Sequence, residues 1–137
     1  TVSLFADGSA EPKYTVSVPG GTKDSSGQYT TTYDIPEVAP GTYTMQVSKK
    51  NHVTREYTVT VSSDAVTQDA KIHLMGDING DGRISIGDIN KANLHAKGKK
   101  ILLGYELACA DVNGDGRVTI SDVNKLNLHN KGKSLLW

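Results

Sequence analysis

Asp77-Ile78-Asn79-Gly80-Asp81-Gly82-Arg83-Ile84-Ser85-Ile86-Gly87-Asp88 decides how the rest of the chain is read. The stretch returns 34 residues later as Asp111-Val112-Asn113-Gly114-Asp115-Gly116-Arg117-Val118-Thr119-Ile120-Ser121-Asp122. The echo continues beyond it: Asn90-Lys91 answers Asn124-Lys125, and Asn93-Leu94-His95 answers Asn127-Leu128-His129. Between 76–100 and 110–134 roughly two-thirds of positions are identical, far above chance for so short a window, so the C-terminal half is an internal duplication.

The spacing of the oxygen-bearing side chains carries the chemistry. A hard cation such as Ca²⁺ takes about six to eight oxygen ligands, and a loop of about 12 residues supplies them from positions 1, 3, 5, 7, 9 and 12. In the first copy these are Asp77, Asn79, Asp81, the carbonyl of Arg83, Ser85 acting through a water, and Asp88. In the second they are Asp111, Asn113, Asp115, the carbonyl of Arg117, Thr119 and Asp122. Gly82 and Gly116 stand at the sixth position, where the chain turns sharply and a Cβ would clash. The last position is Asp in both, one methylene shorter than the Glu common in such loops, and it reaches the ion if the loop closes more tightly. An Asx/Gly turn without metal needs neither a full ligand set nor its repetition, so the pattern predicts two bound Ca²⁺ ions.

The 137 residues allow one or two small domains. A chain only 36% hydrophobic and 6% aromatic has little core to spend, which makes metal a plausible staple. No apolar run of about 18 residues is present, so no membrane span is expected. The chain opens on Thr1 with no signal-like segment and reads as a monomeric piece cut from a longer protein. Its net charge is zero, but residues 1–74 carry 6 basic and 8 acidic side chains and residues 75–137 carry 9 and 7. Six of those 7 acids are loop ligands, so a calcium-loaded C-terminal half is basic and suits an acidic partner surface. Nucleic acid is the rival partner, but neither aromatic interleaving nor a basic helix supports it.

Cys109, the single cysteine, lies in Leu107-Ala108-Cys109-Ala110 and reads as a small buried hydrophobe. A disulfide-free chain with calcium loops fits an extracellular bacterial module. No nucleophile–base constellation appears and the well-placed carboxylates are committed to metal, so no enzyme is expected. A calcium sensor would need entering helices and a Met-rich groove, whereas Met45 and Met75 both lie outside the repeats.

The N-terminal half reads as strands over 2–6, 14–18, 28–35, 42–48, 53–61 and 70–75. Short β-branched runs at this spacing predict an all-β sandwich over 1–74. Helices are expected after each loop, over 86–97 and 121–131, stopped at Gly98 and Gly132, with a third over 104–110. The fold class is therefore α+β, with a small all-α domain over 75–137. Pro40-Gly41-Thr42-Tyr43-Thr44, followed by Val47 and His52-Val53-Thr54, resembles the hairpin of transthyretin-like and carboxypeptidase-regulatory-like β-sandwiches. That resemblance implies a spacer or stabiliser. A carbohydrate platform is the competing reading, with Tyr14, Tyr29, Tyr33, Tyr43 and Tyr57 available, but their strand positions favour packing.

A duplicated loop and exit helix, with strand rather than helix entering the first copy and Asp closing each loop, resembles a dockerin. Ala110-Asp111-Val112-Asn113-Gly114-Asp115-Gly116 is similar to that family's signature. The resemblance implies two loop-helix (F-hand) repeats and binding to a cohesin of a scaffold or cell-surface protein, within an extracellular, cellulosome-type assembly for polysaccharide degradation. A β-domain fused directly in front resembles the X module–dockerin pairing, in which the β-domain stabilises its neighbour. The alternative is a carbohydrate-binding or spacer β-module with a structural calcium domain.

Helix periodicity puts Ile89, Ala92 and Ala96 on one inward face, with Val123 and Leu126 matching them in the second copy. The opposite faces carry Gly87, Lys91 and Leu94, and Ser121, Lys125 and Leu128. The same Leu beside a Lys in both copies reads as an interface anchor. Family recognition centres on loop positions 10 and 11, here Ile86-Gly87 and Ile120-Ser121, which are not the Ser-Thr of many enzyme-borne dockerins and imply a more apolar interface. His95 and His129 repeat alongside and read as surface residues of the same face, since no third ligand stands at zinc spacing. Near-identical copies present one face twice, so one binding orientation and two related by about 180° are both open. Leu135-Leu136-Trp137 is expected to pack back near the start of the C-terminal domain or on the β-domain.

Overall fold

The computed structural model describes residues 1–137 and divides into two compact units. One comprises Thr1–Lys50 and Thr54–Ile72, the other Asn51–Val53 and His73–Trp137. The class is α+β, with the strands in the first unit and the helices in the second.

In the first unit β1 (Val2–Ala6), β2 (Tyr14–Val16), β5 (Gly41–Val47) and β6 (Arg55–Val61) form one antiparallel sheet in the order β2-β1-β5-β6. β3 (Thr22–Lys23) and β4 (Tyr29–Thr30) make a separate two-stranded ribbon. The register sets Leu4 opposite both Tyr14 and Met45, and Tyr43 opposite Val59. The period-two alternation then buries Val2, Leu4, Tyr43, Met45 and Val59 as one core. Val18, Tyr33, Ile35 and Val38 pack onto it from chain outside the strands.

Two strand expectations shrink. The 28–35 segment pairs only at Tyr29–Thr30, and its apolar residues Tyr33 and Ile35 reach the core from irregular chain before Pro36. The 70–75 segment makes no ladder beyond one bridge, Leu74 to His52. Side chains hold it instead: Lys71 O accepts from Arg55 Nη1 (2.9 Å) and Tyr57 Oη (3.1 Å). The tyrosines mostly face inward. Tyr33 donates to Gln68 O (2.5 Å), Tyr43 donates to Ala39 O (2.9 Å), and Tyr14 Oη accepts from Ala39 N (3.1 Å).

In the second unit each loop runs into an 11-residue helix, α1 (Ile86–Ala96) and α3 (Ile120–Asn130), with α2 (Gly104–Ala110) between them. Ser85 and Thr119 are the N-caps, and Asp88 and Asp122 complete capping boxes from N3. Ile78, Ile89, Ala92, Leu102, Cys109, Ala110, Val112, Val118, Val123 and Leu126 form the core, so Cys109 is the buried small hydrophobe expected. Ala96 departs from its expected inward place and is exposed. The core beyond Ala92 is supplied by Leu102, which folds back after the helix and is 1% exposed.

The entry to the first loop is a short strand-like pairing, not a helix. Val53 N–H donates to His73 O (3.0 Å) and Met75 N–H to Asn51 O (2.9 Å). Tyr105 closes the circuit: its hydroxyl accepts from His73 N (3.0 Å) and donates to Val53 O (2.6 Å).

Candidate functional site

Each loop is organised by its first and last carboxylates. Asp77 Oδ1 accepts N–H bonds from Gly80 (2.8 Å) and Asp81 (3.1 Å), and its Oδ2 accepts from Gly82 (2.9 Å). Asp88 Oδ1 accepts from Ile78 (2.8 Å) and Asn79 (3.1 Å), while its Oδ2 takes the N–H of Ser85 (2.9 Å). Asp88 thus caps α1 and closes the loop at once. Asp81 accepts from Arg83 N (3.0 Å) and from Asn79 Nδ2 (3.0 Å).

These bonds draw oxygens of Asp77, Asp81 and Asp88 to within 4.8 Å of one another. Asp77 and Asp88 are 2% and 0% exposed, and the Lys91–Glu106 ion pair engages neither. Burial pushes the Asp77 carboxyl above the ordinary range, the charge of Asp88 adds to the rise, and the N–H bonds of Gly82 and Gly80 oppose it. Convergent buried carboxylates without a Lys or Arg partner are costly unless a cation is shared among them. The donor set is all oxygen, which suits a hard cation of the Ca²⁺ class and not zinc.

The second loop repeats the pattern. Asp111 accepts from Gly114 (2.9 Å), Asp115 (3.2 Å) and Gly116 (2.8 Å); Asp122 accepts from Asn113 (3.2 Å) and Thr119 N (2.8 Å). It differs in burial, since Asp111 is half-buried where Asp77 is buried. Only the first loop draws its three carboxylates into so close a group. The twelve ligand positions read from the sequence therefore lie in two like loops of unlike compactness.

The residues expected on a partner-binding face separate into two sets. Ile86 and Ile120 are 62% and 59% exposed, and Leu94 and Leu128 are 37% and 41% exposed, one pair on each helix. Ser121 and Lys125 are also exposed. Gly87 is half-buried and donates its N–H to Ser85 Oγ (3.2 Å), and Lys91 is paired with Glu106 Oε1 (2.7 Å).

The histidines sit differently from the surface role expected of them. Half-buried His95 turns its Nδ1 to accept the N–H of Leu102 (2.8 Å), and His129 does the same for Leu136 (3.1 Å). Each therefore fastens the chain that folds back after its helix. The signal is present in the sequence: a Leu follows seven residues after the His in both copies. Leu136 packs on the core, and a methyl added at Gly76 would meet it at 3.1 Å, so of the C-terminal tripeptide Leu136 packs back near the start of this domain while Leu135 stays exposed. The Trp137 ring lies 5.0 Å from that of His129.

The family model of the dockerin type I domain matches residues 75–129. No curated protein matches the chain. Among solved structures it is similar to a C-terminal interface mutant of a type II cohesin–X–dockerin complex from Acetivibrio cellulolyticus, at 22% identity and a TM-score of 0.32, covering 93% of this chain and 79% of that one.

Proposed function

We propose, with residues 75–129 a dockerin type I domain, that this chain is a calcium-dependent docking module that binds a cohesin and so joins its parent protein to an extracellular, cellulosome-type complex. The observation that carries the reading is the apolar pair Ile86/Leu94, displayed outward and repeated as Ile120/Leu128 on a helix of the same length. Single exposed leucines are ordinary. A matched pair on each of two duplicated helices, beside an exposed Lys125 and a basic unit, is a surface suited to an apolar, acid-rimmed partner.

In this reading Asp77, Asn79, Asp81, Arg83 O, Ser85 and Asp88 hold one Ca²⁺, and Asp111, Asn113, Asp115, Arg117 O, Thr119 and Asp122 hold a second. The ions neutralise the clustered carboxylates and fix the N-termini of α1 and α3, which positions Ile86 and Ile120 for the partner. Gly87, Ser121, Lys91 and Lys125 border the contact, and His95 and His129 act beneath it by securing the helix ends. The chain carries no catalytic role. Residues 1–74, with their sheet and inward tyrosines, act as an X-module-like companion, and residues 75–137 form the dockerin.

Calorimetric titration against a panel of cohesins tests this reading. Tight binding to one class is expected in calcium and none in chelator. Leu94→Asp with Leu128→Asp should weaken binding by about a hundredfold or more, as buried interface anchors do, with the helical signal unchanged because both residues are exposed. Retention of full affinity by that double variant would sink the proposed face. Binding to a glycan array and to no cohesin would return the β-domain to a carbohydrate-binding role.

A further inference from the structure

The two loops agree in sequence but not in what supports them. Outside the first loop, the His73 ring lies against Gly80: a methyl added there would land on it, against Nε2 and 2.5 Å from Cε1. His73 Nδ1 is 3.1 Å from Asp77 O, and a carbonyl only accepts, so this nitrogen carries the proton. The ring is fixed in turn by an edge contact with Tyr105, centroids 5.1 Å apart, while the His73 backbone is held by Val53 and Tyr105. The counterpart of His73 in the second copy is Leu107, within α2, and nothing lies within 4 Å of a methyl at Gly114. Gly80 is buried and Gly114 exposed.

We infer that His73 is a positioning residue that braces the first loop, and that the two calcium sites are consequently unequal: the first is the tighter and holds the domain together, and the second is the first to empty. The inference rests on the calcium reading of the loops. Its physical basis is pre-organisation. A loop whose backbone is already clamped loses less freedom when it closes on an ion, and that difference appears as affinity. The closer gathering of Asp77, Asp81 and Asp88 is the visible result.

Gly80 and Gly114 provide a matched test, because their φ angles are +72° and +73° and alanine meets the same backbone strain at both. Any difference between Gly80→Ala and Gly114→Ala therefore reports the His73 contact. The backbone signals of Gly82 and Gly116 in the NMR spectrum mark the two loops, and calcium can be withdrawn stepwise from the loaded 137-residue chain with a chelator. In the unaltered chain the Gly116 signal should shift at a free calcium concentration at least tenfold higher than that which moves Gly82. Gly80→Ala should abolish or reverse that order, and Gly114→Ala should widen it. His73→Ala should narrow it, and adding Gly80→Ala to His73→Ala should cost the first site no more than Gly114→Ala costs the second. Simultaneous emptying of the unaltered loops, or emptying of the first loop before the second, would overturn the inference while leaving calcium-dependent docking intact. Absence of calcium from both loops would overturn the inference together with the calcium reading beneath it.

Discussion

Asp77 shows how one carboxylate can serve two masters. Its raised pKa means that, without an ion, the folded state favours the protonated form over the unfolded chain. For that group stability is fully present below the unfolded pKa and is lost as pH rises through the folded one. Calcium needs the anion, so the sign reverses for binding: affinity should fall as pH drops from neutral toward the raised Asp77 carboxyl, with protons released on binding at the lower pH. Calorimetry in two buffers of different ionisation enthalpy measures that release, and an apparent enthalpy independent of buffer at every pH where affinity falls would contradict it. His95 gives a second prediction at this scale. His95→Ala strips the acceptor from the Leu102 N–H beneath the core, and should cost about 1–3 kcal/mol in urea unfolding with calcium present. His129→Ala should cost less, because Leu136 is more exposed than Leu102. The loop carboxylates are legible in the sequence because their hydrogen bonds stay inside one contiguous stretch whose spacing is repeated: Asp88 reaches back to Ile78 and Asp122 to Asn113 without leaving the loop. The histidines are not, because their partners lie seven residues away, outside the helix whose faces the periodicity describes.

Among the elements, the helices are the most legible and the strands the least. The starts expected at 86 and 121 fall within one residue of those observed at Ile86 and Ile120, where Ser85 and Thr119 cap the helices and Asp88 and Asp122 complete the capping boxes. The third helix, expected over 104–110, forms there. Strand limits depend on neighbours the sequence does not name. Thr and Tyr between residues 28 and 35 read as a long strand, yet only two residues find a pairing partner; of the rest, Tyr33 and Ile35 turn inward onto the core while Thr31, Thr32 and Asp34 stay exposed. Tyr105 is the instructive single residue here, since nothing in its helical setting points to Val53, 52 residues upstream. Tyr105→Phe keeps the ring beside His73 but orphans both Val53 O and the His73 N–H. It should lower the stability of the calcium-loaded helical unit by about 1–3 kcal/mol, read from thermal unfolding. An unchanged transition would show that water replaces the hydroxyl without loss.

At the scale of the whole molecule, the two units differ in what holds each together. The sheet unit buries a core of aliphatic and tyrosine side chains and has no convergent carboxylates. The helical unit places Asp77, Asp88 and Asp122 among its most buried side chains. On the calcium reading, withdrawal of the ion leaves Asp77, Asp81 and Asp88 facing one another, so chelation should collapse the helical circular dichroism signal and leave the sheet unit's NMR signals in place. Retention of full helical signal in excess chelator would show that the core around Ile78, Leu102 and Leu126 suffices by itself. This separation is readable in outline from the contrast between alternating β-branched strands and acid-rich repeats. The full membership of the helical unit is not, because three of its residues lie in a different part of the chain.

Those three residues bear on anyone who would excise the helical unit for use on its own. A fragment trimmed at residue 75, where the family match begins, would carry both acidic loops and all three helices yet omit Asn51–Val53 and with them the acceptors for Met75 N–H and the Tyr105 hydroxyl. It would also omit the His73 brace. The portable part of this molecule is therefore not one continuous segment, and a transplant that keeps the entry to its first loop fastened has to bring a short upstream piece of chain along with it.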